Sequence, residues 1–562
     1  MSPGSDTHAD GSLPSPRPLR LEVEHGSARD RGGPELVACL TAPPGPDDDL
    51  RCHWPRAGWL QVRADRVGDL PSAWLRERFP GRLIYALPGS EAPDPRRDDR
   101  LRTAAAAGYD LVELEAERDL RPGLLAAIQP AQRLISWHGP AAGAAPLADR
   151  LRRLSAVAAR FYRLVVVARY AQDALPPLEL LRAAGRRDVV AFAAGEPGLW
   201  GRVLSAWMGA PLVFGTLGPD AAVSGEPSLA RLVADFGLPG LPSVDRVFGI
   251  IGEQVGHSLS PWLHNAAYRA LGVSALFLPF PVTTLAEFWH ALVADGGLEE
   301  RLGLFLGGLT VASPHKQDVP GLAAAVSRAA RHAGSANLIY RRRAAWAAAT
   351  TDPAGVLVPL AERGIAPAGR RAVVVGCGGS GRAIATALHT AGARVVLSNR
   401  GRPRGEQAAS RLGLPLVPLA ALAAADFDLV VNATSVGRED EPLPFAVDRL
   451  AAGAVVVDLV YTRGATPLAE AARARGAVVV EGRQVLLAQV TRQFARMTDR
   501  EMPPDLAAGL LGLDGPTVAG RGVGADPGPP ASAPPHPPAV EPFGFGETDA
   551  VYPGPWTMGP PR

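Results

Sequence analysis

The chain of 562 residues is almost devoid of lysine. Of its 58 basic side chains 57 are arginine, and the one lysine is Lys316. A guanidinium stays protonated, whereas an ammonium is a compact charge that can serve as a nucleophile or exchange a proton. Imine chemistry on a lysine is therefore excluded everywhere except position 316. Cysteine is scarce as well. Cys39, Cys52 and Cys377 are odd in number and lack metal-ligand spacing. They argue against a disulfide framework and a zinc site, and for a reducing, cytoplasmic setting. Charge of one sign is nowhere concentrated: the formal net charge is +2, with both signs interspersed. No nucleic-acid partner is expected from such a surface. The opening stretch lacks the apolar segment of a signal peptide, and no apolar run approaches the ~18 residues of a membrane span.

What is present divides into blocks. The length calls for more than one core. Residues 1–33 and 513–562 are rich in Pro, Gly and Ser and hold too few apolar side chains to offset the cost of ordering, so both read as disordered. Residues 34–245 carry eight short apolar runs, from "ELVACLTA" to "APLVFGTL", mostly separated by Ala/Leu/Arg-rich segments of helical character. Eight strand–helix alternations in that length predict a (β/α)8 barrel. Beyond residue 245 the alternation continues through "RVFGIIG", "ALFLPFPV", "RRAVVV", "RVVLSNR", "FDLVVNATS", "GAVVVDLVY" and "GAVVVEG", the pattern of a doubly wound α/β fold.

The stretch "VVVGCGGSGRA" puts Gly376, Gly378, Gly379 and Ser380 between an apolar strand and an Ala-rich helix, with Ala383 in the third small position. A turn of this kind seats a pyrophosphate on the helix N-terminus. The next strand ends in Ser398-Asn399-Arg400, followed by Arg402 and Arg404, with no acid to accept a ribose 2′-hydroxyl. A guanidinium there favours a 2′-phosphate, hence NADP, with Asn399 and Arg400 as its ligands and the two further arginines as a solvated loop.

Six motifs then occur in order: "GIIGEQVGHSLSPWLHNAAY", "GLTVASPHK", "TTD", "NATSVG", "DLVYTRGATPL" and "GRQVLLAQ". Over about residues 246–500 the chain resembles the shikimate dehydrogenase family. The resemblance implies a substrate domain at 246–352, completed by 487–512, and a Rossmann NADP-binding domain at 353–486. It implies an oxidoreductase of aromatic amino-acid biosynthesis that interconverts 3-dehydroshikimate and shikimate. Lys316 and Asp352 would be the proton-transfer pair. Ser258 and Ser260 would bind the substrate carboxylate, Asn337 and Gln489 the ring hydroxyls, and Tyr461 would face the substrate. Asn432 and Thr434 would border the cofactor, and a homodimer is left open. The serines also suit helix N-caps before Pro261, and His257 and His264 suit packing or turn roles. Two positions depart from the family: Ala312 replaces a threonine whose hydroxyl binds substrate, and Thr350 replaces an asparagine. One lost neutral hydrogen bond costs about 1 kcal/mol, which leaves room for quinate or a related acid as substrate.

The first block resembles type I 3-dehydroquinate dehydratase. "LQVRAD" offers Arg63 and Asp65, with Gln61 where the family has glutamate. Glu115, His138 in "ISWHG" and Arg202 in "GEPGLWGRV" match further site positions, though Gly201 replaces a serine. The family's Schiff-base lysine falls at about Val166. With no lysine in residues 1–315, the barrel is expected to be degenerate. Two other readings stand beside this one: a scaffold or metabolite sensor without turnover, and an active bifunctional enzyme.

Overall fold

The computed structural model describes residues 33–513, apart from 46–55, 90–93, 219–224, 295–296, 439–440, 449, 452 and 463. Both expected disordered ends, but for Gly33 and Leu513, and Cys52 lie outside the described residues.

Eight strands form the first sheet: β1 (Glu35–Leu40), β2 (Ala57–Arg63), β3 (Arg82–Ala86), β4 (Leu111–Glu115), β5 (Arg133–Pro140), β6 (Phe161–Val167), β7 (Val189–Ala194) and β8 (Leu212–Thr216). Their order is β7-β6-β5-β4-β3-β2-β1-β8, parallel throughout, so β7 and β8 are the two ends of a nearly closed barrel. Each strand coincides with one of the eight apolar runs. Strand alternation sends Val37, Trp59, Ile84, Leu134, Phe161, Val165, Phe192 and Phe214 into the interior. The opposite set packs outward under the helices.

The second sheet has the order β10-β9-β11-β13-β14-β12. It comprises β9 (Arg246–Gly252), β10 (Ala275–Pro281), β11 (Phe305–Val311), β12 (Ala325–Val326), β13 (Leu338–Arg342) and β14 (Ala345–Ala349). The outer face of the barrel and one face of this sheet share a single hydrophobic core. At their junction Trp200, on the barrel helix Leu199–Leu204, lies 5.3 Å from Phe280 of the edge strand β10.

The third sheet, β17-β16-β15-β18-β19-β20, is all parallel. Its strands are β15 (Arg371–Val375), β16 (Arg394–Asn399), β17 (Leu416–Pro418), β18 (Leu429–Asn432), β19 (Val455–Asp458) and β20 (Val478–Val480). The valine runs of β15, β18 and β19 are buried on both faces, as central parallel strands require. The order reverses between β15 and β18, which opens a crevice at their carboxyl ends. Two helices, Asp352–Glu362 and Gly482–Thr498, pack on each other between the second and third sheets. Among the described residues no helix is long and apolar enough to cross a membrane.

Candidate active site

Lys316 follows β11 and points into the cleft between the second and third sheets. Its Nζ donates to Asp352 Oδ2 at 2.9 Å and Oδ1 at 3.1 Å, and to Ser380 Oγ at 2.7 Å. Asp352 is the first residue of its helix, where a carboxylate suits the positive end of the macrodipole. It is 1% exposed. Its Oδ1 also accepts from Asn337 Nδ2 and Gln489 Nε2, each at 2.9 Å. An ion pair this deeply buried persists because amide donors satisfy the remaining lone pairs. Asn337, expected to hold a ring hydroxyl, has both amide protons engaged inside the protein, one on Asp352 and one on Thr351 Oγ1 at 3.0 Å. Its carbonyl accepts from Thr351 N at 2.7 Å. In this arrangement it orients the carboxylate. Thr351, the middle residue of "TTD", and Gln493, which donates to Thr351 Oγ1 at 3.1 Å and lies outside the motifs, complete the support.

The glycine turn joins β15 to the helix Gly379–Thr390. Gly376 follows the last strand residue at the crevice, and Gly378 faces open space ahead of the helix. Gly379 lies so near Lys316 that an added Cβ would stand 2.6 Å from Lys316 Cβ. The two halves of the site meet across that hydrogen-sized gap. The third glycine position is Gly381, not Ala383: a Cβ on Gly381 would fall 1.8 Å from the Gly376 carbonyl oxygen. The spacing of Gly376, Gly378 and Gly381 is G-x-G-x-x-G, so the signal was present in the sequence. Asn399 Oδ1 accepts from Cys377 N at 3.0 Å, and its Nδ2 donates to the Gly401 carbonyl at 2.7 Å. It shapes the turn from the neighbouring strand. Arg400 and Arg404 are exposed at the end of β16, and Arg402 pairs with Glu406 at 2.7 Å. Asn432 is fully buried, donating to Asp458 Oδ1 at 2.9 Å and to the Val436 carbonyl at 3.1 Å, while Thr434 Oγ1 donates back to Asn432 Oδ1 at 2.7 Å. These two residues fix the loop after β18 rather than project from it.

Ser258 and Ser260 are buried beyond β9, at the entry to the helix Ser260–Leu271. Neither caps that helix, whose N-cap position is Leu259 with no side-chain cap. Ser258 Oγ accepts from Ser260 N at 3.2 Å. The Tyr461 hydroxyl lies against Ser258, and burial holds it above the usual phenol range. His264 packs instead of acting: its ring stacks on Phe277 at 4.2 Å, and burial pushes its imidazole down to about 3.

The barrel holds a separate polar cluster. Cys39 Sγ donates to Gln61 Oε1 at 3.3 Å, and Gln61 Nε2 donates to Glu113 Oε2 at 3.0 Å. Arg163 forms an ion pair with the same Glu113, and its Nη2 lies 3.4 Å from His138 Nε2. His138 stands in the mouth; enclosure by the barrel walls, then the charge of Arg163, lowers its imidazole from the ordinary range. Arg63 forks onto Asp65 at 2.9 and 2.8 Å, and Arg202 meets Glu226 at 2.9 Å. The acid of this cluster is Glu113. Glu115 is two residues further on, where it lies 3.4 Å from Arg97 and 3.7 Å from Arg118. On β6 the side chains of Arg163 and Val165 face the interior cluster, whereas Val166 packs into the outer core. A two-residue period therefore moves the expected lysine position from Val166 to an inward neighbour.

Comparison with known proteins follows these divisions. Residues 250–339 match the family model of the shikimate dehydrogenase substrate binding domain, and residues 87–237 match that of type I 3-dehydroquinase. The shikimate dehydrogenase (NADP(+)) of Anaeromyxobacter sp. (strain Fw109-5) is 39% identical over 283 residues, which cover 48% of this chain and 96% of the relative. The shikimate dehydrogenase (NADP(+)) of Halobacterium salinarum is 39% identical over 261 residues, covering 46% and 95%. Among solved structures, shikimate dehydrogenase from Aquifex aeolicus is 29% identical over 47% of this chain and 96% of its own, with a TM-score of 0.43. A dehydroquinate dehydratase and shikimate dehydrogenase structure from S. pombe is 20% identical, covering 85% and 98%, with a TM-score of 0.39. Relatives matched along nearly their whole length at this identity make the C-terminal half of the chain a member of the shikimate dehydrogenase family.

Proposed function

We propose that the chain is an NADP-dependent shikimate dehydrogenase carrying a barrel that no longer dehydrates. The observation that carries the first part is Lys316 Nζ, bonded at once to Asp352 and to Ser380 on the glycine turn. A dehydrogenase of a secondary alcohol must move a proton where the hydride leaves, and this pair stands against the turn that would hold the dinucleotide. The residues suit that group: Gly378 leaves open space at the helix N-terminus, and the end of β16 offers exposed Arg400 with no acid. NADP, when bound, takes or supplies the hydride. Lys316 exchanges the proton of the reacting oxygen, which contributes roughly 10²–10⁴-fold to rate in such sites. Asp352 stabilises the ammonium and directs it; Asn337 and Gln489 fix Asp352. Ser258 and Ser260, with Tyr461 beside them, receive the substrate carboxylate. Ala312 leaves one contact fewer than the family pattern, which supports looser binding of shikimate or acceptance of a related cyclohexene acid.

The barrel reading rests on chemistry its walls lack. An imine needs a primary amine, and the inward side chains of β6 are Phe161, Arg163 and Val165. Arg63, Arg163 and Arg202 each already hold a carboxylate of the chain, which offsets much of the positive charge an acidic substrate would meet there. Purified protein with shikimate and NADP⁺ is expected to accumulate NADPH absorbance. A flat trace with shikimate, quinate and related acids, under NADP⁺ or NAD⁺, contradicts the proposal.

A further inference from the structure

Among the barrel elements that meet the dehydrogenase is a short helix, Leu229–Ala234, which follows β8. Arg231 on this helix donates from Nε to Asp235 Oδ2 at 2.9 Å, and from Nη1 to the carbonyl oxygen of Gly256. Gly256 lies in the loop between β9 and the helix Ser260–Leu271, two residues before Ser258. The barrel residues Glu196 and Leu199 lie beside the same glycine. A second tie runs to the far end of that helix, where Arg269 Nη2 donates to the Ala234 carbonyl at 3.2 Å. Arg231 and Asp235 are largely enclosed, with side chains 16% and 12% exposed. Their charge-assisted bond is thus made where water competes poorly.

We infer that Arg231 is a positioning residue of the dehydrogenase supplied by the barrel: it sets the loop that aims Ser258 and Ser260 at the substrate carboxylate. This inference rests on the proposed role of those serines. Asp235 fixes the guanidinium, the guanidinium fixes the Gly256 carbonyl, and the next turn of backbone carries Ser258. Displacements of about 1 Å in such a contact are enough to weaken it severely. The barrel then keeps its place in the chain for what its outer surface holds still.

The test uses the full-length protein and three variants. Arg231→Met is expected to raise the KM for shikimate about tenfold, with kcat and the KM for NADP⁺ within about twofold of the parent. Arg231→Lys, which can still donate to the carbonyl, is expected to recover most of the loss. Ser258→Ala is measured in parallel and is expected to raise the same KM. If Ser258→Ala raises it and Arg231→Met does not, the positioning role is overturned. A joint fall of kcat and rise of both KM values in Arg231→Met, with no recovery in Arg231→Lys, overturns it too, as the mark of general damage. If Ser258→Ala leaves the KM for shikimate unchanged, the underlying reading of the serines fails instead.

Discussion

Lys316 and Asp352 are 36 residues apart in sequence and 2.9 Å apart in space. The lysine was legible because it has no competitor in the composition; the aspartate was legible only through a motif. Asn337 lies beside Asp352, and its amide protons are engaged by Thr351 and Asp352, a detail hidden at the sequence level because a sequence does not say which amide protons the protein itself engages. Gln493, outside every motif, left no trace, since supporting hydrogen bonds follow from packing. His264 shows a different residue-scale effect. Neither of its ring nitrogens has a partner among the described residues, and its imidazole is held down at about 3. Its folded-state affinity for a proton is depressed, so its contribution to stability is complete above its ordinary value and falls as pH drops toward 3. The loss is about 1.4 kcal/mol per pH unit within that window. The melting temperature is therefore expected to fall between pH 7 and pH 5, and His264→Phe to shrink that fall. Equal acid sensitivity in the variant would remove His264 as the cause.

Among elements, the barrel strands and the valine-rich strands of the third sheet could be read from their apolar runs, because both are buried on two faces. Strands β11 and β14 are another matter. "FLGGLTV" contains paired glycines, and "AWAAA" has the composition of a helix; both are strands because neighbours cover them. Gly307 makes room for Phe248 and Gly308 for Met497. Tertiary packing overrides local propensity in both. On β6 the error was one of register. Counting to the expected lysine reached Val166, whereas the alternation of the strand points Arg163 and Val165 inward. The element carries its own prediction. Borohydride reduction of the protein with 3-dehydroquinate is expected to leave residues 34–245 unlabelled in peptide mass analysis. A covalent adduct on that segment would restore the dehydratase.

At the scale of the whole molecule, three sheets serve one cleft. The second brings Lys316 and the serines, the third brings the glycine turn, and the paired helices between them bring Asp352 and Gln489. Gly379 lets the second and third close on each other. The barrel shares its outer core with the second sheet and clasps the serine loop through Arg231, so a half without its expected nucleophile still has a mechanical part in the other. The central claim, that the solitary lysine moves the proton, is tested most directly by Lys316→Ala. Oxidation of shikimate by NADP⁺ is expected to slow by about 10²–10⁴-fold, with NADP⁺ affinity nearly unchanged in a direct binding titration. A variant that turns over shikimate at the parent's rate would contradict the account.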